Sequence, residues 1–300
     1  MVDFHKPVLL EQVLDQIDSL TNKIFVDATI GYAGHSAAIL NKNKKLKLIG
    51  FDQDDFAIKN SKLKLAQYPS ARVFKSNFRN FDTHLQALKI DKVDYFLADL
   101  GISSVQVDFA DRGFSYNKDG PLDMRMNQEQ NLTAHSIINN ATQDELVRIF
   151  TKNADVKLPK VIAKAIVENR PLNSTLELVD LIRKALPAKL VRQKNHAKTV
   201  FQALRIEVND EFSALQEFLT KAIDYLPVGG KLMIISFHSA EDKIIKDFFK
   251  NLIQREHDFR LPIIEEAKFK AKTYNPTNDE ITNNKRSRSA KLRVLTKLKN

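Results

Sequence analysis

The chain has 300 residues, a formal net charge of +10 at pH 7 and no cysteine. The lack of cysteine excludes disulfides, cysteine-ligated metal sites and a thiol nucleophile. No apolar run approaches the ~20 residues of a membrane span, and the first residues lack the apolar core of a signal peptide, so we expect a cytoplasmic protein with no membrane partner. The positive charge favours an anionic partner such as nucleic acid, although a general bias towards lysine would produce the same charge.

The first third of the chain alternates between short apolar runs and segments with helical spacing. This alternation is typical of a doubly wound α/β sheet. Helices are predicted at 7–17 and 54–67, and strands at 23–28, 46–52, 72–75 and 93–99.

That rhythm stops after residue 104. A polar stretch marked by glycines covers 105–126, which is too long for an ordinary connection between a strand and a helix. Helical patterns follow, with capping boxes beginning at Thr142 and Ser174 and a proline at a helix start, Pro159. We therefore predict an all-helical insert over 108–195.

The α/β pattern returns in the last third, so 1–107 and 196–300 are predicted to form one discontinuous domain. A Pro-Val-Gly-Gly turn at 227–230 leads into a strand at 231–237. Ser239 and Asp242 are predicted to cap the next helix. A basic segment at 285–295 leads into a last strand.

The sequence from Asp27 to His35 combines the end of a buried strand, a glycine turn and the start of a helix. Such a turn, with Gly31 and Gly34, can present backbone N–H groups to a nucleotide-like ligand, although a lone G-x-x-G is more often only a tight connection. Asp52, at the end of the second strand, can accept the hydroxyls of a ribose. Asp27 would repel a pyrophosphate but suits a ligand with an ammonium and a sulfonium, which favours an adenosyl-sulfonium ligand over a dinucleotide.

The fourth and fifth strands also end in polar residues. Asp99 and Ser103 can accept hydrogen bonds from an exocyclic amine of a base, which would direct the nitrogen lone pair towards a methyl donor. His238 stands at the corresponding end of the fifth strand. It either lines the same cleft or is a polar residue at a strand end without chemistry.

Several long motifs together resemble the bacterial 16S rRNA cytosine-N4 methyltransferase family RsmH, also called MraW. The resemblance runs from about residue 5 to about residue 295. The motifs are HKPVLL at 5–10, DLGISS-x-Q-x-D at 99–108, RGFS at 112–115, GPLDMRM at 120–126, FQALRI-x-VN at 201–209 and ISFHS-x-ED at 235–242.

The resemblance implies a Rossmann-like class I methyltransferase sheet whose helical insert recognises the substrate. It implies S-adenosylmethionine as methyl donor and a decoding-centre, P-site cytosine of 16S rRNA as acceptor, within the 30S subunit. Direct in-line transfer to N4 needs no metal and no covalent intermediate. Asp27 and Gly31 are predicted to contact the donor from their place at the turn. The resemblance implies further donor contacts, which are Ala33, Gly34, His35, Asp52, Phe78, Asp99 and Gln106.

On the acceptor side, Asp99 and Ser103 are predicted to engage the amine. Asp123, Arg125 and His238 are predicted to line the pocket for the base. Arg205 and Asn209 lie one helical turn apart, which suits either a pocket wall or packing. Arg286 and Arg288, in the basic segment near the end of the chain, are predicted to contact phosphates.

Three departures from the family pattern stand out. Tyr32 and Ala33 occupy positions where the family usually has arginine and glycine, and we expect Ala33 to keep a negative φ so that its N–H stays available. Val105 replaces a common proline, and 152–155 replaces a Y-G-E-E-like stretch.

Two other classes of protein remain in view. A dehydrogenase on a similar sheet would need the G-x-G-x-x-G that this chain lacks. A non-catalytic RNA-binding factor in ribosome assembly could keep the fold and the basic segment, and only binding of S-adenosylmethionine would separate it from an enzyme. A homodimer and a monomer are both compatible with the sequence.

Overall fold

The computed structural model describes residues 7–18, 20, 22–193, 195–253 and 267–300. Seven strands form one sheet in the order β3-β2-β1-β4-β5-β7-β6. The strands are β1 Ile24–Asp27, β2 Lys47–Asp52, β3 Ala71–Lys75, β4 Tyr95–Asp99, β5 Lys231–Ser236, β6 Phe269–Tyr274 and β7 Lys291–Lys297.

Strands β1 to β5 are parallel, whereas β7 lies antiparallel between β5 and β6. This arrangement is the Rossmann-like methyltransferase sheet, so the predicted fold class is confirmed. The strand order reverses between β1 and β4, and ligands of open α/β sheets bind at the carboxyl ends of the strands beside such a reversal.

Helices precede, connect and follow the strands. Single 3₁₀ turns lie at Phe78–Asn80, Ala110–Arg112 and Lys285–Ser289. The α-helices are α1 Leu10–Leu14, α2 Gly34–Lys42, α3 Asp55–Leu65, α4 Phe81–Ala87, α5 Ser104–Asp108, α6 Ala134–Asn140, α7 Gln143–Asn153, α8 Pro159–Glu168, α9 Thr175–Ala185, α10 Ala188–Gln193, α11 Ala197–Asn209, α12 Glu211–Tyr225, α13 Ser239–Ile253 and α14 Asn278–Asn283. Within the described ranges, no helix is both long and apolar enough to cross a bilayer.

The chain divides into two compact units. One comprises residues up to Gly101 and from Phe212 onward, and the other is Ile102–Glu211. The second unit is wider at both ends than the predicted insert. Its C-terminal boundary lies beyond residue 195 because Val200 and Leu204 of α11 belong to the same apolar cluster as residues of α6 to α9.

In the first unit, successive residues of the central strands face opposite sides of the sheet. Phe25 and Leu48 pack into the cluster on one side, and Val26 and Ile49 into the cluster on the other. Because both faces are covered, these strands are continuous apolar runs in the sequence. That property made them predictable.

Two predictions about local structure were wrong or incomplete. Strand β6 was not predicted, because it lies at the sheet edge and exposes most of its side chains. The predicted cap of α13 by Ser239 and Asp242 is also wrong. His238 and Glu241 form that cap, while the boxes at Thr142 and Ser174 are confirmed.

Candidate active site

The turn after β1 is held in a left-handed conformation at two positions. Gly31 has φ 49° and Ala33 has φ 54°. The expected negative φ of Ala33 is therefore wrong, and its N–H donates to the carbonyl of Ile30 at 2.7 Å. For a residue with a Cβ this conformation costs about 1 kcal/mol. Because the N–H of Ala33 is already bonded, the first N–H group that α2 can offer to a ligand is that of Gly34. The N–H groups of the first helical turn have no hydrogen-bond acceptor within the helix.

Pro7 and Tyr32 pack around this turn. A Cβ built on Gly34 would lie 2.7 Å from Cγ of Pro7, so the N-terminal motif closes directly over the glycine. The ring of Tyr32 meets Phe56 of α3 edge to face, with centroids 6.0 Å apart. The tyrosine that replaces the family's arginine is thus an aromatic contact with α3.

Asp52 joins the turn to the end of β2. Its Oδ2 accepts the N–H of Gly31 and its Oδ1 accepts the N–H of Asp54, both at 2.9 Å. Burial raises the pKa of Asp52 to about 6. An ionised carboxylate has about four acceptor positions, so these two bonds leave capacity for the hydroxyls of a ribose.

Asp27, at the end of β1, is a buried carboxyl with a buried partner. Its Oδ2 accepts the hydroxyl of Ser36 at 2.6 Å, and the N–H of Thr29 donates to Oδ1 at 3.3 Å. Burial raises its pKa to about 6. Ser36 was not predicted as a site residue, although a small hydroxyl residue in the first turn of α2 is placed to reach a strand-end acid.

His35 is fixed in one orientation by the N-terminal motif. Its Nε2 lies 2.9 Å from the carbonyl oxygen of Val8, which can only accept, so Nε2 carries the proton. The lone pair of Nδ1 then faces Asp99, 3.8 Å from Oδ2. Burial lowers the pKa of His35 to about 4, so the ring is neutral at pH 7.

Asp99 is the last residue of β4, and its pKa is raised further than those of Asp27 and Asp52. Burial, together with the nearby carboxylates of Asp27 and Glu241, raises its pKa to about 8. Its backbone N–H donates to Oγ1 of Thr29 at 2.7 Å, which fixes β4 against the turn. Thr29 was not predicted as a site residue, although it stands inside the D-x-T-x-G pattern.

Two buried polar atoms at neighbouring strand ends have no hydrogen-bond partner among the described residues. They are Oδ1 of Asp99 on β4 and Oγ of Ser236 on β5, and Asp99 pairs in register with Ile235. Buried polar atoms are nearly always bonded, so a pair of exceptions at the ligand-binding edge indicates a ligand. The Asp99 side chain as a whole is 27% exposed, whereas its Oδ1 atom is buried.

His238 caps α13. Its Nδ1 accepts the N–H of Glu241 at 3.3 Å, and Glu241 Oε2 accepts the N–H groups of Phe237 and His238 at 3.0 and 3.4 Å. The His238 Nε2 lies 3.0 Å from the other carboxylate oxygen of Glu241. The Nδ1 side of the ring thus stabilises the helix, while the buried Nε2 makes no hydrogen bond to a described residue, so both roles left open by the sequence stay predictions. Glu241, which sequence reasoning missed, is 2% exposed.

Phe78 lies in the 3₁₀ turn after β3. Its ring packs edge to face on Phe218 of α12, with centroids 5.4 Å apart, and it is half-buried. Its family role as a donor contact stays a prediction.

In the second unit, Ser103 and Gln106 bind each other. Ser103 Oγ accepts the N–H of Gln106 at 3.2 Å, and Gln106 Oε1 accepts the N–H of Ser103 at 3.0 Å. This reciprocal pair is a capping box that starts α5. The hydroxyl proton of Ser103 is not used in it, so a donated hydrogen bond to an acceptor is still available to this side chain.

Asp123 and Arg125 form a local ion pair. Arg125 donates through Nε to Oδ1 and through a terminal nitrogen to Oδ2 of Asp123, at 2.9 and 2.8 Å, and its other terminal nitrogen donates to the carbonyls of Gln128 and Gln130. Although burial opposes it, hydrogen bonds from Arg125 hold the pKa of Asp123 below its usual range. The pair shapes the loop that carries the GPLDMRM motif.

Arg205 and Asn209 are both engaged within the second unit. Arg205 makes a bidentate ion pair with Glu211, at 2.7 and 2.9 Å. The Asn209 side chain accepts the N–H of Met126 and donates to the carbonyl of Met124, each at 2.8 Å. Asn209 therefore fastens the GPLDMRM loop to α11, which favours packing over the pocket wall for these two residues.

Two glycines of the motifs in this unit allow backbones to touch. A Cβ on Gly113 would lie 2.1 Å from the carbonyl oxygen of Pro121, and one on Gly120 would lie 2.1 Å from that of Ala110. The RGFS and GPLDMRM motifs are thus packed against each other without room for a methyl group.

Arg286 and Arg288 lie in the last 3₁₀ turn and are exposed, whereas Ser287 between them is buried. Across the described residues, no three histidine, aspartate or glutamate side chains are grouped so as to hold a metal ion.

Comparison with known proteins gives one consistent family. The family model of the MraW methylases matches residues 3–298. The ribosomal RNA small subunit methyltransferase H of Mycoplasmopsis pulmonis (strain UAB CTIP) is 54% identical over 299 residues, which is 99% of this chain and 100% of that protein. The protein of the same name from Mycoplasmopsis agalactiae is 50% identical, with the same coverage.

A solved structure, an rRNA methylase from Streptococcus thermophilus, is 13% identical with a TM-score of 0.45, covering 97% of this chain and 94% of that chain. The family match extends over the sheet residues, the helical unit and the basic segment alike. The chain belongs to the MraW methylase family.

Proposed function

We propose that the protein transfers a methyl group from S-adenosylmethionine to the exocyclic N4 of the P-site cytosine in the decoding centre of 16S rRNA. The single observation that carries this proposal is the unpartnered Oδ1 of Asp99 at the end of β4. The names of the relatives, which are small-subunit rRNA methyltransferases, support the choice of rRNA.

The strand ends suit this donor. S-adenosylmethionine carries an ammonium, a sulfonium and two ribose hydroxyls, and the ends of β1, β2 and β4 supply the carboxyls of Asp27, Asp52 and Asp99. A cation beside these buried acids would lower their pKa values and restore the ionised forms. The same acids would repel a pyrophosphate, which disfavours a dinucleotide-dependent dehydrogenase.

The donor, when bound, supplies a methyl group on a positively charged sulfur, and the protein supplies position and a proton acceptor. Oδ1 of Asp99 accepts a hydrogen bond from N4–H of the cytosine and takes the proton that this nitrogen loses once it is methylated. With the positive charge of the donor beside it, Asp99 is ionised and can take this proton. Thr29 fixes the backbone of Asp99 through its N–H, and the His35 ring lies beside the carboxyl.

Transfer is direct, because a chain without cysteine offers no thiol to form a covalent adduct with the base. The cytosine must leave its stack to reach a reactive methyl group. The hydroxyl of Ser103 forms a hydrogen bond with the amine of the cytosine. Asp123 and Arg125 line the pocket that holds the base. The helical unit recognises the RNA, Arg286 and Arg288 contact its phosphates, and the acceptor is rRNA in the 30S subunit in the cytoplasm.

The test is transfer of labelled methyl from S-adenosylmethionine to small subunits from a strain that lacks the modification, with the labelled nucleoside identified. N4-methylcytidine at the decoding centre is the expected product. Label on another base, or on none, overturns the proposal. Calorimetry with S-adenosylmethionine tests the alternative, a non-catalytic assembly factor, which requires no donor binding.

A further inference from the structure

A carboxylate near the end of the chain holds the N–H of a residue near its beginning. Oε1 of Glu280, in α14, accepts the backbone N–H of Leu9 at 2.6 Å. Leu9 is fully buried, and a buried backbone N–H is nearly always bonded. A carboxylate is a stronger acceptor for it than a neutral group. The bond links two positions that lie 271 residues apart in the sequence.

The Glu280 side chain is not used in the way that its place in the sequence predicts. Thr277 and Glu280 have the spacing of a capping box, in which the glutamate side chain bonds the backbone of the threonine. Among the described residues, only the threonine half of this box is formed, because Thr277 Oγ1 accepts the N–H of Glu280 at 3.1 Å. The cap fixes the backbone of Glu280, while the carboxylate is directed to Leu9.

The peptide group between Val8 and Leu9 is bonded on both sides. It is trans, so its carbonyl and its N–H point in opposite directions. Glu280 accepts the N–H, and the carbonyl oxygen lies 2.9 Å from Nε2 of His35. Glu280 and His35 therefore hold opposite sides of one planar group.

Leu9 pays for this peptide orientation with an unfavourable conformation. Its φ is 55°, in the left-handed region that leucine rarely occupies. Rotation of the Val8–Leu9 peptide by about 180° would give Leu9 the negative φ that leucine prefers. The same rotation would turn the Val8 carbonyl away from His35 and the N–H away from Glu280. The bond to Glu280 therefore opposes the rotation.

We propose that Glu280 is a positioning residue that selects the tautomer of His35 through the Val8–Leu9 peptide. While the Val8 carbonyl faces Nε2, that nitrogen carries the proton, and Nδ1 presents a lone pair to Asp99 at 3.8 Å. With the carbonyl turned away, Nδ1 would be free to carry the proton and to donate it in a hydrogen bond to the Asp99 carboxylate.

The choice of tautomer bears on the proton acceptor. A hydrogen bond from Nδ1–H would stabilise the ionised carboxylate of Asp99 and make it a weaker acceptor of a proton. Glu280 prevents this by keeping the proton of His35 on Nε2. This effect on methyl transfer rests on the proposed function, whereas the effect on His35 does not.

The experiment reads the tautomer of His35 from the nitrogen chemical shifts of its ring, identified by the signals lost in a His35→Gln variant. Glu280→Ala removes the acceptor of the Leu9 N–H. Glu280→Gln keeps an acceptor oxygen on a side chain of the same length. Asp279→Ala, an exposed change on the same helix, is the control for loss of a charge. Single-turnover methyl transfer to small subunits is measured for each variant.

A second control tests for a general loosening of the N-terminal segment. The hydroxyl of Tyr274 accepts a hydrogen bond from Nε2 of Gln16 at 3.2 Å. This bond also joins the beginning of the chain to its end, but it does not involve the Val8–Leu9 peptide. Tyr274→Phe removes the bond and should leave the ring of His35 unchanged.

Glu280→Ala is expected to lose the pure Nε2–H signals of His35 and to transfer methyl about ten- to a hundredfold more slowly. Glu280→Gln should retain most of both properties, and the two controls should resemble the unmodified protein. Unchanged ring signals in Glu280→Ala overturn the inference, and so does an equal change in either control. Changed ring signals with an unchanged transfer rate overturn the link to methyl transfer.

Two provisions keep the test decisive. If circular dichroism shows that Glu280→Ala does not fold, Glu280→Asp, whose side chain is shorter by a methylene, takes its place with the same expected and contrary results. If the unmodified protein methylates no rRNA, the proposed function fails, while the ring signals still decide whether Glu280 selects the tautomer of His35.

Discussion

His35 Nδ1 lies 3.8 Å from Oδ2 of Asp99, while the other ring nitrogen is tied to the carbonyl of Val8. The imidazole is neutral and presents a lone pair, and the carboxyl has a pKa of about 8. A proton on Asp99 would therefore be held on Oδ2, towards His35. In that protonated form Oδ1 can accept a hydrogen bond but not a proton, and only the ionised form of Asp99 can act as the proton acceptor.

Asp99→Asn should reduce the rate of methyl transfer by two to four orders of magnitude, because the amide cannot take a proton. Affinity for S-adenosylmethionine should change by less than about tenfold, since Asp27 and Asp52 remain. Single-turnover transfer and calorimetry measure the two effects. Asp224→Asn, an exposed change on α12, is the control. Transfer by the Asp99→Asn variant at the control's rate would exclude the proton-acceptor role.

Affinity for S-adenosylmethionine should rise as pH increases from about 5.5 to 8.5. The pKa values of Asp27 and Asp52 are about 6 and that of Asp99 is about 8, so these carboxyls carry protons at the acidic end of this range. A cationic donor binds their ionised forms better, and its binding must release protons in between. His35 stays neutral throughout and adds no opposing charge. Calorimetry in two buffers of different ionisation enthalpy counts the protons, and a pH-independent affinity without proton release would contradict the expectation.

Gly113→Ala should destabilise the protein by more than 3 kcal/mol, whereas Gly229→Ala should cost about 1 kcal/mol. Both glycines have positive φ, 71° and 82°. Only at Gly113 does the added Cβ meet a backbone carbonyl, at 2.1 Å, while at Gly229 nothing lies within 4 Å. Denaturant unfolding of the two variants measures both losses of stability. The loss at Gly229 reports the cost of a positive φ, and the additional loss at Gly113 reports the steric clash. Equal losses would show that the close approach of the two motifs can relax.

Asn209→Ala should lower the free energy of unfolding by about 2 kcal/mol, because it leaves the N–H of Met126 and the carbonyl of Met124 buried without this partner. Asn169 is exposed and its side chain donates to one helix carbonyl. Asn169→Ala should lower the free energy of unfolding by only a few tenths of a kcal/mol. Urea unfolding followed by circular dichroism compares them. If Asn209 instead serves only the substrate, its variant will unfold like the control while RNA binding falls.

The local features of this fold could be predicted because they depend on neighbours in the sequence. The boxes at Thr142 and Ser174 need a residue three positions away, and the central strands are apolar because both faces are covered. His238 and Glu241 are also three apart, but a histidine cap is unusual, and the neighbouring serine was the more typical choice.

The sequence alone determined the sheet class, the glycine turn with its strand-end acids and, through long motifs, the family. The tertiary structure decided which groups meet. Residue pairs far apart in the chain, Asp99 with Thr29 and Asn209 with Met126, make bonds that no local pattern encodes. Burial then set the protonation of Asp99 and His35, because the cost of desolvating a charge depends on the surrounding fold and not on the residue's neighbours in sequence.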